Sequence, residues 1–291
     1  MRNLYSIMIA LILLQITTLA QEGFFWQNPL PQGHHLCSVY FTDSNTGWAV
    51  GYGETIIKTT NSGNRWTTQY SGNTYRNLHS VYFTDSNTGW TVGTGGTILK
   101  TIDGGTNWTF QSSGTTSGLN EVYFTDSNTG WAVGFGGTII KTTDGGDNWE
   151  TQFSGTTEWL SSVYFTDSNT GWVVGSDGYE GGTILKTTDG GSNWTPQNSG
   201  TTLPLFSVYF IDSNTGWAVG GDLGPVIILK TTDGGNNWTT QNSGISQRLH
   251  SVYFIDSNTG WIVGDLGAII KTTDGGDNWM PQSLSLINIY E

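Results

Sequence analysis

The sequence has little cysteine and few basic residues. Its single cysteine, Cys37, rules out an intrachain disulfide, and we expect this thiol to be a small buried side chain. Lysine and arginine together number 10, against 23 aspartates and glutamates. Such an acidic surface repels phosphate backbones, which disfavours nucleic acid as a partner.

Long apolar runs are also missing. The longest, Ile7 to Ile16, has about ten residues, whereas a helix that spans a bilayer needs about 20. The run follows the basic Arg2 and precedes the small Ala20, an arrangement typical of a cleavable secretory signal. We therefore predict a signal peptide over residues 1–20, no membrane span, and a mature chain over residues 21–291 that is secreted or periplasmic.

Glycine and tryptophan are abundant instead, with 42 and 14 residues, and most of the tryptophans fall in an internal repeat. A segment of the type SVYFTDSNTGWAVG recurs six times, with its aspartates 42, 41, 41, 45 and 44 residues apart: Asp43, Asp85, Asp126, Asp167, Asp212 and Asp256. Each copy continues into a GTILKTTDGG-type half that ends in a second tryptophan: Trp66, Trp108, Trp149, Trp194, Trp238 and Trp279. The mature chain is therefore predicted to be one domain of six repeats.

Each repeat predicts four short strands bounded by glycine, asparagine or aspartate. In the third copy these are Glu121 to Thr125, Gly130 to Gly134, Thr138 to Thr142 and Asn148 to Gln152. No segment has helical periodicity, so the fold class is all-β. Four antiparallel strands in a repeat of this length are typical of a β-propeller blade; a β-solenoid is the alternative, although its coils are usually shorter.

The number of blades depends on the N-terminal segment FFWQN. Trp26 precedes Val39 by 13 residues, much as the second tryptophan of each later repeat precedes the next valine, so the segment resembles an extra fourth strand. Pairing it into the last blade would close a ring of six blades and remove exposed edges. Six blades are favoured, and a seventh, incomplete blade built from the two termini is the alternative.

The TTDGGxNW segment has a structural use that accounts for all its residues. An aspartate at the head of a tight turn accepts hydrogen bonds from backbone N–H groups two or three residues on, and glycines supply positive φ angles. The tryptophan fills the gap between sheets. The residues that we assign to this turn-and-wedge unit are Asp103, Asp144, Asp189, Asp233 and Asp274 with the six second tryptophans; the first copy is degenerate, with Asn61 and Ser62 in place of Asp-Gly.

These segments resemble the bacterial neuraminidase repeat, or Asp-box. The whole unit, VYFxDSNTGWAVG followed by GTIxKTTDGGxNW, is similar to the propellers of the photosystem II assembly and stability factor family. The resemblance covers nearly all of Trp26 to Trp279 and implies a propeller that serves as an assembly factor. In that family the ligand-facing surface is arginine-rich, whereas here only Arg76 and Arg248 could contribute.

Three other chemistries fit the residues less well. A sialidase needs three converging arginines, but Arg65 lies in an Asp-box turn, on the rim opposite Arg76 and Arg248. DSNTG resembles the start of a calcium loop, yet only the first copy has a glutamate, Glu54, at the right distance, so a hairpin turn is the better interpretation. The six repeat lysines from Lys58 to Lys271 share one strand position and are better explained as snorkelling or ion-paired side chains than as a binding ring.

Function is expected where the copies differ. Two sets of loops, between second and third strands and before first strands, should share one face of the propeller, and they also hold His34, His35, Glu158 and Phe206. The candidate binding residues in these loops are Tyr52, Glu54, Tyr75, Arg76, His79, Phe135, Trp159, Asp177, Tyr179, Glu180, Asp222, Arg248, His250 and Asp265. Variable solvent-facing loops with no function are the alternative interpretation.

We therefore predict a secreted, non-enzymatic propeller that binds a protein or glycan and acts as an assembly scaffold, a monomer without catalytic residues, metal or cofactor. An extracellular, sialidase-like glycan hydrolase is a second hypothesis, with acids such as Glu54, Asp177, Glu180, Asp222 or Asp265 at its pocket. A third is a structural repeat fragment of a larger surface protein.

Overall fold

The chain folds into six sheets of four antiparallel strands each, and strand order within every sheet follows chain order. The computed structural model describes residues 34–72, 76–176, 181–222 and 224–282. Each repeat forms one blade of a propeller, and the described residues contain no α-helix, only three short 3-10 turns. The prediction of an all-β propeller with six four-stranded blades is confirmed. No helix in this part of the chain is long and apolar enough to cross a membrane.

The strands are short and evenly spaced along the chain. Blade 1 contains β1 (Leu36–Phe41), β2 (Gly47–Gly51), β3 (Ile56–Thr59) and β4 (Thr67–Thr68), and blade 2 contains β5 (Leu78–Phe83), β6 (Gly89–Gly93), β7 (Ile98–Thr101) and β8 (Thr109–Gln111). Blade 3 contains β9 (Leu119–Phe124), β10 (Gly130–Gly134), β11 (Ile139–Thr142) and β12 (Glu150–Gln152), and blade 4 contains β13 (Trp159–Phe165), β14 (Gly171–Ser176), β15 (Thr183–Thr187) and β16 (Thr195–Gln197). Blade 5 contains β17 (Leu205–Phe210), β18 (Gly216–Gly221), β19 (Val226–Thr231) and β20 (Thr239–Gln241), and blade 6 contains β21 (Leu249–Phe254), β22 (Gly260–Gly264), β23 (Ile269–Thr272) and β24 (Met280–Pro281).

The DSNTG segment forms the turn between the first two strands of every blade. In blade 2, Asp85 Oδ1 accepts hydrogen bonds from the backbone N–H of Asn87 at 2.7 Å and of Thr88 at 2.9 Å. The same pair of bonds is made by the equivalent aspartate in the other five blades. The hairpin interpretation of this motif is therefore confirmed, since the carboxylate that a calcium loop would need is committed to the turn.

The Asp-box forms the turn between the third and fourth strands, but its hydrogen bonds differ from those expected. Asp144 Oδ1 accepts the Thr142 hydroxyl at 2.8 Å and the Asn148 N–H at 2.9 Å, four residues on rather than two or three. Asn148 Nδ2 also donates to Asp144 Oδ2 at 2.8 Å. The turn therefore extends further than predicted, and β12 begins at Glu150 instead of Asn148. The Asn148 donors lower the pKa of the Asp144 carboxyl to about 2.

Aromatic stacking seals the interface between neighbouring blades, which we call a seam. At the seam between blades 1 and 2, Trp48 stacks on Phe83 with centroids 3.7 Å apart, and Phe83 meets Trp108 edge-on at 5.9 Å. Lys58 Nζ lies 4.9 Å from the Trp48 ring and donates to the Gly104 carbonyl at 2.8 Å. The next four seams repeat the Trp–Phe stack. The repeat lysines of blades 1 to 5 thus lie against seam tryptophans, which agrees with the interpretation as snorkelling or ion-paired side chains rather than a binding ring.

The interface of blade 6 with blade 1 differs from these five seams. Leu36, Val39 and Phe41 of β1 are 43%, 58% and 43% exposed, whereas Leu78, Val81 and Phe83 at the same positions of blade 2 are at most 3% exposed. On blade 6, Val263 is 42% exposed, while its counterpart Val50 is fully buried. The described residues therefore contain five sealed seams and two apolar blade faces that no described residue covers.

Three expectations about the ends of the repeat array need comment. The described fourth strand of blade 6 is β24, from its own repeat, whereas the prediction that an N-terminal strand closes the ring concerns residues outside the described ranges. Cys37 is exposed, not buried, and it is the residue left unpaired by the irregularity of β1. The predicted signal peptide and the FFWQN segment lie outside the described residues.

Candidate binding site at the channel mouth

The first strand of each blade lines the central channel of the propeller, because successive first strands pack side by side around its axis. One tyrosine per blade faces this axis, and successive ring centroids lie 4.8 to 5.3 Å apart: Tyr40, Tyr82, Tyr123, Tyr164, Tyr209 and Tyr253. Burial raises the pKa of five of these phenols, most strongly for Tyr82 and Tyr123: Tyr40, Tyr82, Tyr123, Tyr164 and Tyr209. The tyrosines form a collar around the channel, and the loops with variable residues lie at one end of it.

A β-bulge aims one further side chain of each first strand towards this end, which we call the channel mouth. Pairing with the second strand skips one residue, for example between Leu78 and Ser80, so that His79 is left unpaired in blade 2. The six unpaired residues, the bulge ring, are Cys37, His79, Asn120, Ser161, Phe206 and His250. Neighbouring strand positions are nearly invariant between blades, whereas the bulge ring has five residue types in six blades.

On one side of the ring the bulge residues bridge adjacent blades. His79 Nδ1 lies 2.9 Å from the Leu119 carbonyl oxygen of blade 3. Asn120 Nδ2 donates to the Leu160 carbonyl of blade 4 at 2.8 Å. Contacts within the propeller thus hold these two side chains. Part of the variation in residue type in the bulge ring is therefore explained by contacts between blades rather than by a ligand.

On the other side, blades 5 and 6 hold a connected group of side chains that we call the mouth cluster: Phe206, Asp222, Arg248, His250 and Asp265. Arg248 donates to Asp222 Oδ1 at 2.9 Å, and its guanidinium carbon lies 5.8 Å from the Phe206 ring centroid. The His250 ring lies 5.8 Å from Phe206, and His250 Nε2 is 2.6 Å from Asp265 Oδ1. Carboxylates therefore hold a planar cation and an imidazole close to the same aromatic ring.

A second group of predicted residues lies over blades 1 and 2. Glu54 has a positive φ of 62°, and one of its buried carboxylate oxygens has no hydrogen-bond partner among the described residues. Its other oxygen accepts the Ser71 hydroxyl at 3.3 Å. Tyr52 meets His35 edge-on at 5.8 Å. Arg76 lies across the Gly95 turn and lines a shallow cavity of about 730 Å³ with Phe110 and residues 111–116.

The remaining predicted residues divide between blades 3 and 4 and the parts of the chain that are not described. Phe135 and Trp159 meet edge-on at 5.2 Å, and Trp159 is 57% exposed. Tyr75, Asp177, Tyr179 and Glu180 lie outside the described residues.

The two loop sets share one face, as predicted, because the backbone N–H of Phe135 and of Asp265 donate to the carbonyls of Gly118 and Arg248 in the preceding loops. Arg65 lies in the Asp-box turn of blade 1, among the loops at the other ends of the strands.

Sequence reasoning overlooked Asn120, Ser161 and Cys37 as mouth residues, and it overlooked Glu121. Glu121 stands where Ser80 and Ser162 stand in blades 2 and 4, and its Oε2 accepts the Val163 N–H of the next blade at 2.5 Å. Burial raises the pKa of this carboxyl to about 7. The sequence held an indication of all four residues, because each is a residue type that departs from an otherwise regular first-strand pattern.

Comparison with known proteins gives one family match. A family model described as "Photosynthesis system II assembly factor YCF48" matches residues 19–110, 69–151, 148–242 and 236–290. No curated protein matches the chain.

Several solved structures share the fold. YCF48 bound to D1 peptide is 22% identical, and the match covers 87% of this chain and 82% of that one with a TM-score of 0.71. YCF48 from Cyanidioschyzon merolae is 21% identical, with 88% of both chains covered and a TM-score of 0.72. The GH74 xyloglucanase from Xanthomonas campestris is 12% identical with a TM-score of 0.69, and the match covers 89% of this chain but 46% of the enzyme. At these identities the structural matches concern the fold alone.

Proposed function

Because the chain belongs to the family of photosynthesis system II assembly factor YCF48, we propose that it is a non-enzymatic scaffold that binds a segment of a partner protein at its channel mouth. The mouth cluster is the part of this surface that touches the partner first.

The observation that carries this proposal is the fixed arrangement around Phe206. Asp222 and Asp265 hold Arg248 and His250 in place, so these side chains lose little conformational freedom when a ligand binds. Arginine and aromatic side chains in a pre-organised group are the residues that most often dominate the energy of protein interfaces. The fold does not require the residues of the mouth cluster, because blades 1 to 4 form the same four-stranded sheets without them.

Among the structural relatives, those of the YCF48 family support a polypeptide ligand. One of them, YCF48, was solved with a D1 peptide bound. For this chain we carry over only the class of ligand, a polypeptide segment. The photosystem itself is not part of the proposal, because the described mouth has two arginines, Arg76 and Arg248, where the resemblance implies an arginine-rich surface.

The mouth chemistry also supports a binding function over hydrolysis. Asp222 and Asp265 are each paired with a side chain of the same cluster. A glycosidase needs one carboxylic acid and one free carboxylate across a sugar-sized space. We further propose that the protein acts outside the cytoplasm, on the basis of the signal-like residues 1–20.

The test compares one residue type on two faces of the propeller. Purified protein is probed on an array of overlapping peptides from exported and membrane proteins of the source organism, beside the variants Arg248→Ala, His250→Ala and Arg65→Ala. We expect peptides that bind the wild type and Arg65→Ala but bind Arg248→Ala about tenfold or more weakly. Peptide binding that all three variants retain would contradict the proposal. Selective binding on a parallel glycan array would mean that the ligand is a glycan and not a polypeptide.

A further inference from the structure

One carboxyl in the wall of the channel is not explained by the fold. Glu121 takes the place of a serine that the first strand of every other blade has at this position: Ser38, Ser80, Ser162, Ser207 and Ser251. In four seams the serine hydroxyl accepts a valine N–H of the next blade at 3.1 to 3.3 Å. Glu121 Oε2 accepts the equivalent N–H of Val163. A hydroxyl is therefore sufficient for this contact, and the seam does not need the carboxylate.

The charge of Glu121 is not balanced by a neighbouring cation. No described lysine, arginine or histidine forms an ion pair with it. Burial raises its pKa to about 7, although hydrogen bonds from Ser162 and Val163 act in the opposite direction. The titratable groups on β9 and on the strands that pack against it are His79, Tyr82, Tyr123 and Tyr164. The ionised carboxylate therefore lacks the partner that would offset its burial.

Glu121 lies where the channel widens towards the mouth. It directly follows Asn120 of the bulge ring and precedes Tyr123 of the collar by two residues. Serines occupy this level of the channel in the other blades, and their side chains are much smaller than the tyrosines of the collar. Asn120, Glu121 and Tyr123 all keep partial exposure although they lie in an innermost strand. A side chain that enters from the mouth can therefore approach the carboxylate.

We propose that Glu121 binds a lysine or arginine side chain of the partner segment. This inference rests on the proposed function and adds a requirement for the sequence of the ligand. The carboxylate supplies the opposite charge, the serine hydroxyls accept N–H groups, and the phenol rings of the collar attract a cation. The aliphatic stem of such a side chain can pass the bulge ring while its charged end reaches Glu121.

An inorganic ion fits this position less well. Calcium takes six to eight oxygen ligands, usually with several carboxylates among them. Glu121 is a single carboxylate, and the part of the chain that the structure describes has no group of three acidic, histidine or cysteine side chains that could hold a metal. A cation that brings its own N–H donors needs fewer ligands from the protein.

The probes are pools of labelled hexapeptides with lysine, arginine, norleucine or glutamate at the third position and mixed residues elsewhere. Fluorescence anisotropy with the full protein at about pH 8 and physiological ionic strength should show at least about tenfold tighter binding of a basic pool than of the norleucine pool. Glu121→Gln keeps the shape and an acceptor for the Val163 N–H, and it should lose this preference. Glu150→Gln is the matched control, since it removes the same charge from an exposed residue of a fourth strand.

The pH dependence gives a second measurement. Binding of the basic pool should weaken as the pH falls from about 8 to about 5.5, because the carboxyl takes up a proton through its pKa of about 7. The loss should approach tenfold per pH unit below that value. Glu121→Gln keeps His79 and His250, so a pH dependence that these histidines cause would persist in the variant.

The inference is overturned if no basic pool binds saturably, if the pools bind equally, or if Glu121→Gln keeps the preference. It is also overturned if calcium or potassium chloride raises the Tm of the wild type but not of Glu121→Gln, because an inorganic ion would then occupy the site. Arg248→Ala separates the two proposals. Binding that needs Arg248 but shows no basic preference would leave the mouth cluster as the site, whereas a basic preference that needs Glu121 and not Arg248 would contradict the role of the cluster.

Discussion

The two ends of the propeller use the same kind of residue for different purposes. At the end with the DSNTG and Asp-box turns, aspartates such as Asp85 and Asp144 bind the backbone of their own turn, and equivalent residues do so from blade to blade. At the channel mouth, Asp222 and Asp265 bind two side chains of blade 6, Arg248 and His250, in contacts that the other described blades do not repeat. The first arrangement is explained by folding. The second is not, and this difference is why the mouth is the candidate site.

The largest difference in stability between variants of structural residues and variants of mouth residues is expected for a tryptophan at a seam. Trp131 is fully buried and stacks on Phe165 at 3.6 Å. Trp131→Ala should therefore lower the free energy of unfolding by about 3–5 kcal/mol, through lost burial and the cavity left behind. Trp159→Ala, at the mouth, should lower it by less than about 1 kcal/mol. Denaturant titration measures both; similar losses would mean that mouth aromatics also serve the fold.

The next effect tests the Asp-box through its buried hydroxyl. Thr231 is 1% exposed, donates to Asp233 Oδ1 at 2.9 Å and accepts the Gly235 N–H at 2.9 Å. Thr231→Val keeps the shape, removes the acceptor of the Gly235 N–H and leaves Asp233 Oδ1 with the Asn237 N–H alone, so it should lower the free energy of unfolding by about 1–3 kcal/mol. Peptide binding at the mouth should not change. The exposed Thr239→Val is the control, and a binding defect in Thr231→Val without a stability loss would give the Asp-box a functional role.

Glu121 tests whether every departure from the repeat belongs to the mouth. Its pKa is raised by burial from 4.5 to about 7. Between these values the unfolded chain ionises while the folded chain keeps its proton, so stability is full below about pH 4.5 and falls as pH rises towards 7. Glu121→Ser, which restores the residue of blades 2 and 4, should remove this decline and add about 1–3 kcal/mol at neutral pH. Unfolding titrations at several pH values measure it; a pH dependence that persists in the variant would exclude Glu121 as its source.

The fold could be predicted because the same residue pattern recurs in six repeats. The strands follow from period-two apolar patterns and from turn residues that recur at similar offsets in each repeat. One error was the start of β12, because a hydrogen bond of the Asn148 side chain extends the turn before it. The loop face of the site could be predicted for the same reason. Cys37 was misplaced, since burial was inferred from residue type and not from its position in the strand.

The contacts within the site could not be predicted. The varied residue types at Asn120 and Ser161 mark an irregular strand position, but only the strand pairing shows that each is the unpaired residue of a β-bulge. The Arg248–Asp222 pair joins residues 26 apart in sequence, through loops whose lengths differ between blades. The unsealed faces were hidden as well, because Leu36 and Val263 occupy the same repeat positions as their buried counterparts Leu78 and Val50.

The smallest effect on stability, and the sharpest contrast with the Asp-box, is expected for the mouth ion pair. The side chains of Arg248 and Asp222 are 29% and 63% exposed, and exposed pairs contribute about 0–1 kcal/mol. In a double-mutant cycle, Arg248→Ala and Asp222→Ala should therefore show a coupling energy for unfolding below about 1 kcal/mol. For peptide binding, Asp222→Ala should weaken affinity less than Arg248→Ala but in the same direction, because Asp222 only positions the guanidinium. If Asp222→Ala strengthened binding instead, the pair would compete with the ligand, and Arg248 would have to be released before the partner binds.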